Sequence, residues 1–170
     1  MFDYSSLSPS TKPAARISQR LRSLIWTIGI AWFASGMIFG VSFIATPAKF
    51  LAPSLDLAQA LDVGHATFGV MKWFDLGMLA ALVISMLSRK KDFALVLGGV
   101  IAAVMLLQYW GLLPILDERI SLIQQGVDIE PSFLHTIYIA LEITKISLFF
   151  YIGLASARQY RRLYAHITLD

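Results

Sequence analysis

"HATFGVMKWFDLGML", His65 to Leu79, decides how this chain folds. Most of it reads as part of a membrane span, yet it carries Lys72 and Asp75. A lone charge in the middle of a bilayer costs about 2.5–3.5 kcal/mol even on the gentlest scale. If the stretch is a span, another part of the chain must answer its charges.

The answering stretch is "HTIYIALEITK", His135 to Lys145. His65 aligns with His135, Phe68 with Tyr138, Lys72 with Glu142 and Asp75 with Lys145. The charge signs are exchanged between the two. With a rise of about 1.5 Å per residue, Lys72 and Glu142 lie about 10 Å below the histidines, and Asp75 and Lys145 about 15 Å below. Positions i, i+7 and i+10 fall within a sector of about 80° on a helix. Two parallel helices can therefore meet along one face each, with a Lys72–Glu142 pair above an Asp75–Lys145 pair. The i,i+3 pairs Lys72–Asp75 and Glu142–Lys145 would close the four charges into a ring. Such a cluster either fixes helix pairing and register or marks a path for a proton, an ion or a solute.

Working outward, four blocks are long and apolar: residues 24–46, 67–87, 93–113 and 133–157. A bilayer core of about 30 Å needs roughly 20 such residues. A lipid-exposed span cannot leave its backbone unpaired, so each block is a helix. None alternates at period two, as a barrel strand would. Hydrophobic residues make up 57% of the 170, above the roughly 45–50% of soluble domains. There is no cysteine, hence no disulfide and no thiolate metal site. The first block is longer than the roughly 7–15 residues of a signal-peptide core and reads as a retained helix. Residues 1–22 read as a flexible basic tail, 23–157 as the membrane domain, and 158–170 as a second basic tail.

Charge sets the orientation. Lys12, Arg16, Arg20 and Arg22 precede the first span. Arg89, Lys90 and Lys91 join the second and third, and Arg158, Arg161 and Arg162 follow the fourth. The other two connections hold only Lys49 and Arg119, against Asp56, Asp62, Asp117, Glu118, Asp128 and Glu130. By the positive-inside rule both termini are cytoplasmic.

Both connections on the acidic side have one layout: a proline at the span's end (Pro47, Pro114), an amphipathic stretch, a glycine (Gly64, Gly126), then the histidine. Leu116, Ile120 and Ile123 share a helical face, and Gly126 reads as its C-terminal stop. The expected fold is an all-α integral membrane protein whose four transmembrane helices form two parallel-repeat hairpins. Tandem hairpins of this kind carry sites at the repeat interface in transporters.

"GMIFG" places Gly36 and Gly40 in a GxxxG pattern, a candidate helix-packing face. Gly29, Gly98 and Gly99 read likewise. Trp26, Trp32, Tyr109 and Trp110 read as interfacial belt or packing. His65 and His135 are expected at one level, where two facing imidazoles are candidate ligands for haem or a metal ion. His166 carries no role. No phosphate-binding loop, dinucleotide fingerprint, H-E-x-x-H or G-x-S-x-G occurs, which favours a non-enzymatic protein. No segment suggests nucleic-acid binding.

"SGMIFGVSFIATPAKF", "LLPILDERI" and "PSFLHTIY" together resemble the transmembrane-protein-205-like family of small four-span membrane proteins. That family shows a small-residue first helix with a P-x-x-F exit, a third helix ending in proline before acidic and basic residues, and a histidine opening the fourth. Pro114 and His135 would hold the last two places. The resemblance implies a four-span fold and a poorly defined role; some members are linked to drug or metal tolerance. The chain departs from the pattern in lacking a histidine in its first span and in carrying the Lys72, Asp75, Glu142 and Lys145 quartet.

The expectation is a multi-pass protein of a bacterial-type plasma membrane, moving a proton, an ion or a small solute along the charge cluster. The alternatives are a haem- or metal-binding redox protein using His65 and His135, or an accessory subunit. Its partners would be the lipid bilayer and either a second copy or a larger membrane complex.

Overall fold

The computed structural model describes residues 12–89, 93–127, 130 and 132–169. Those residues are all-helical outside short turns, and four helices are long and apolar enough to cross a membrane. The first span runs through α1 (Lys12–Phe39), a π-helical segment (Gly40–Ala45), α2 (Thr46–Ala48) and a 3₁₀ turn (Lys49–Leu51). The second is α3 (Leu57–Met86). The third is α4 (Phe93–Leu106), a π-helical segment (Leu107–Leu112) and α5 (Leu113–Gln124). The fourth is α6 (Leu134–Leu169).

The ends of the helices follow local chemistry. Asp56 opens α3 with a reciprocal capping box. Its carboxylate accepts from the Gln59 N–H at 2.7 Å, and the Gln59 amide oxygen accepts from the Asp56 N–H at 3.0 Å. Gly126 stops α5 as expected, at a φ of +79° that other residues rarely adopt. The Val127 N–H then donates back to Leu122 O at 3.0 Å. All four spans run further than the apolar blocks: α3 begins at Leu57 and α5 continues to Gln124. α1 begins at Lys12, so residues 12–22, expected in a tail, are helical, and α6 carries residues 158–169 in the same way. Neither of these terminal extensions contains an internal proline or glycine beyond Pro13, which a first turn tolerates. Lys90, Lys91 and Asp128 lie outside the described residues.

The helix pairs have definite directions. Ser35 of α1 bonds Ile146 O of α6, while Ser42 reaches Glu142, so α1 and α6 are antiparallel. Phe68 of α3 meets Tyr138 of α6 edge to face at 5.2 Å, and Asp75 meets Lys145. α3 and α6 are therefore parallel, in the register that their sequences suggest. The close approach of α1 to α6 needs Gly153, because a Cβ there would overlap the Trp32 indole.

Polarity is arranged inside out. Val70, Trp73, Ile84, Val96, Leu106 and Phe150 point outward, while Thr27, Asp75, Gln108, Glu142 and Lys145 are buried. An apolar outer face suits lipid, and buried polar groups then have to satisfy one another. Ala31, Ala34, Ile38, Leu82, Met86, Ile101, Met105, Phe149 and Ile152 form the apolar core. The face of α1 against the bundle is thus Ala31, Ala34, Ser35 and Ile38. Gly36 and Gly40 are off it, and a Cβ on either would meet no atom within 4 Å. Within this chain the GxxxG pattern is not at a helix contact.

Candidate functional site

Lys145 has no solvent exposure, and its ammonium is the centre of the site. It donates to Asp75 Oδ2 at 2.6 Å, to Glu142 Oε1 at 2.7 Å and to the Tyr109 hydroxyl at 2.9 Å. All three of its protons are thereby used. The Tyr109 hydroxyl in turn donates to Asp75 Oδ2. Gln108 Nε2 donates to Glu142 Oε1 at 2.6 Å, and Ser42 Oγ donates to Glu142 Oε2 at 3.0 Å. The Tyr138 phenol lies against the same carboxylate.

Two π-helical segments deliver the neutral members of this network. Ser42 lies in Gly40–Ala45, and Gln108 and Tyr109 lie in Leu107–Leu112. Each segment ends two residues before a proline, Pro47 or Pro114. A proline lacks its N–H and its ring clashes with the carbonyl four residues earlier, here that of Phe43 or Trp110. Widening the preceding turn relieves that clash and turns the inserted side chains inward.

The charge count differs from the expected ring. Asp75 and Lys145 pair as the sequence reading anticipates, and Glu142 joins Lys145 along its own helix at i,i+3. Lys72 stays apart, half-buried, with its ammonium 4.4 Å from the Trp110 ring centroid and 5.6 Å from that of Trp73. The reason is angular. α3 buries Gly64, Met71, Asp75, Leu82 and Met86, and Lys72 lies about 60° around the helix from Asp75. Gln108 takes the place on Glu142 that Lys72 was expected to fill. The cluster therefore holds one ammonium and two carboxylates, a single net negative charge when all are ionised. Two of its oxygens, Asp75 Oδ1 and Gln108 Oε1, are buried without a partner.

Above the cluster is a cavity of about 550 Å³. Ser42 and Glu142 form its floor. Phe43, Phe50, Phe68, Leu116, Ile120 and Ile139 make apolar walls, and Lys49, Asp117, Arg119 and His135 stand around its mouth. Thr46 Oγ1, also in the lining, is buried and unpartnered. This is the size of cavity that takes a small organic molecule, about 300–1,000 Å³. Below the cluster the buried side chains are Ile38, Leu82, Ile101, Met105, Phe149 and Ile152. Ser35 lies among them, with its hydroxyl on Ile146 O.

The two histidines take different partners. His65 Nδ1 lies 3.1 Å from Asp117 Oδ1, linking α3 to α5, whereas His135 lines the cavity. No hydrogen bond or ion pair joins them, and among the described residues no group of three or more His, Asp or Glu could hold a metal ion. Sequence reasoning placed Asp75, Glu142 and Lys145 together but missed Ser42, Gln108 and Tyr109. Tyr109 read as an interfacial aromatic. The available signal was Gln108, the only amide within the third apolar block, six residues before Pro114.

No family model matches this chain, and neither a curated protein nor a solved structure matches it.

Proposed function

We propose that this chain is a multi-pass membrane protein that takes a small solute into the cavity and couples it to proton exchange at Glu142. The observation that carries the reading is the double position of Glu142. One carboxylate both floors an apolar cavity of ligand size and belongs to a buried network with a net negative charge. A proton delivered to that carboxylate would cancel the net charge of the network, so proton exchange there changes what the cavity floor presents to a solute. Intramembrane ionisable groups of this kind are a default sign of an ion, proton or substrate path.

The finer architecture fits the same reading. The π-helical segments recur at the same distance before Pro47 and Pro114, and the α3–α6 contacts keep a constant offset, which supports two parallel hairpin repeats with the site between them. The basic residues at the end bearing both termini support a cytoplasmic location for that end, so the cavity opens outward. A bacterial-type plasma membrane, and the layout shared with the transmembrane-protein-205-like family, belong to this proposal.

The test is flux in vesicles reconstituted with the protein. Internal pH is followed with a trapped dye under an imposed proton gradient, alone and with a panel of small amphiphiles. Solute-dependent proton movement that disappears in Glu142→Gln, with insertion intact, is the expected result. Equal rates for wild type, the variant and empty vesicles would overturn the reading.

A further inference from the structure

A second pocket, of about 300 Å³, lies at the opposite end of the bundle, beside both termini. It is lined by Ala94 from the first described turn of α4 and by Ala155, Ser156, Arg158, Gln159 and Arg162 of α6. Ala155, Arg158, Gln159 and Arg162 follow the i, i+3, i+4, i+7 spacing of one helical face. That face normally carries the residues that pack against a neighbour. Here it carries two arginines of like charge at i,i+4, an arrangement that is mildly repulsive unless something negative sits between them.

The polar groups of this pocket are donors. Among the described residues no carboxylate engages either arginine. The Gln159 amide oxygen is already taken by Arg89 Nη1 at 3.1 Å, which leaves its NH₂ group to donate. Ser156 is 2% exposed, and its hydroxyl is buried with no partner. A buried hydroxyl left unpaired is costly, and a ligand that accepts its proton removes that cost. Simple topology determinants need none of this: Arg161, on the same turn but off the pocket face, would serve the positive-inside rule equally well.

We propose that this pocket binds a phosphate group, gripped by the Arg158 and Arg162 guanidiniums and by the Ser156 hydroxyl and Gln159 amide. Guanidinium forks match phosphate oxygens in pairs, which is the strongest form of the contact. The same chemistry could arrive as the headgroup of an anionic lipid or as free phosphate. Occupancy has a structural consequence either way. Gln159 is tied through Arg89 to Thr27, and Thr27 to Ser85, so the ligand would brace α1, α3 and α6 together.

The experiment is thermal unfolding of the full-length protein in two arms. In detergent, inorganic phosphate is titrated at ionic strength held constant with chloride. In nanodiscs, phosphatidylcholine is compared with phosphatidylcholine containing phosphatidylglycerol. Stabilisation in the first arm assigns the site to free phosphate, and stabilisation in the second alone assigns it to a lipid headgroup. In either case Arg158→Gln with Arg162→Gln should weaken the apparent affinity about tenfold or more, Ser156→Ala less, and Arg161→Gln hardly at all. No stabilisation in either arm, or an equal loss in Arg161→Gln, would overturn the proposal and leave the arginines as general surface charge.

Discussion

The Lys145 ammonium meets the Asp75 carboxylate at 2.6 Å across a sequence separation of 70 residues, with neither side chain exposed beyond 1%. A buried ion pair stabilises little relative to an apolar pair of similar volume, but removing one member leaves the other stranded. Lys145→Met should therefore destabilise the protein by about 3–5 kcal/mol, because it strands two carboxylates. Adding Asp75→Leu and Glu142→Leu to that variant should recover much of the loss, as read by thermal unfolding in detergent. Single and triple variants of equal stability would show that the network is not held by charge pairing.

Lys72 lies outside this network, against Trp110 and Trp73. Lys72→Met should change stability by no more than about 1 kcal/mol, the scale of a partly exposed cation–π contact. The charge exchange Lys72→Glu with Glu142→Lys should not restore what Glu142→Lys loses. Full rescue in the double variant would mean that Lys72 and Glu142 do pair.

Gly153 is needed for the seat of Trp32 rather than for backbone freedom. Gly153→Ala should cost about 1–3 kcal/mol, typical of an overpacked contact. The same substitution in a Trp32→Leu background should be close to neutral. An equal penalty in both backgrounds would place the cost elsewhere than in the indole contact.

The absence of cysteine makes accessibility direct to measure, since single-cysteine variants need no prior removal of thiols. Phe50→Cys, in the cavity wall and half exposed, should react rapidly with a charged thiol reagent added to the cavity side. Ile101→Cys, in the sealed core, should stay unreactive from both sides. Reaction at Ile101 from the terminal side would show an opening where the structure has close packing.

Much of this fold was legible because lipid simplifies the problem: a long apolar block has one viable backbone, so the spans follow from length alone. The α3–α6 register was legible for a second reason. Asp75 and Lys145 are intolerable singly, so each points to the other. Lys72 misled because equal depth does not fix azimuth, and about 60° around a helix is enough to trade an ion pair for an aromatic contact. Ser42, Gln108 and Tyr109 were hidden because their inward aim depends on π-helical turns, which hydropathy and 3.6-residue periodicity do not register. His135 opens α6 as expected, but α3 already begins at Leu57, so His65 lies more than two turns inside it, where the packing of α5 brings Asp117 to its ring.

The apolar core beneath the cluster also has an electrical meaning. From Asp75 to Ser85 is about 15 Å along α3, packed with apolar side chains that have no permanent dipole to turn toward a charge. In an energised bilayer the voltage falls mainly across such dry material, and little of it across a water-accessible cavity. A charge arriving at Glu142 from the cavity would thus sense only a small share of the membrane potential. Crossing the layer bounded by Leu82, Ile101 and Phe149 would expose it to most of the rest, a drive of up to about 2.3 kcal/mol per elementary charge for each 100 mV. Binding at this site should therefore be nearly blind to voltage, and release past the core strongly governed by it.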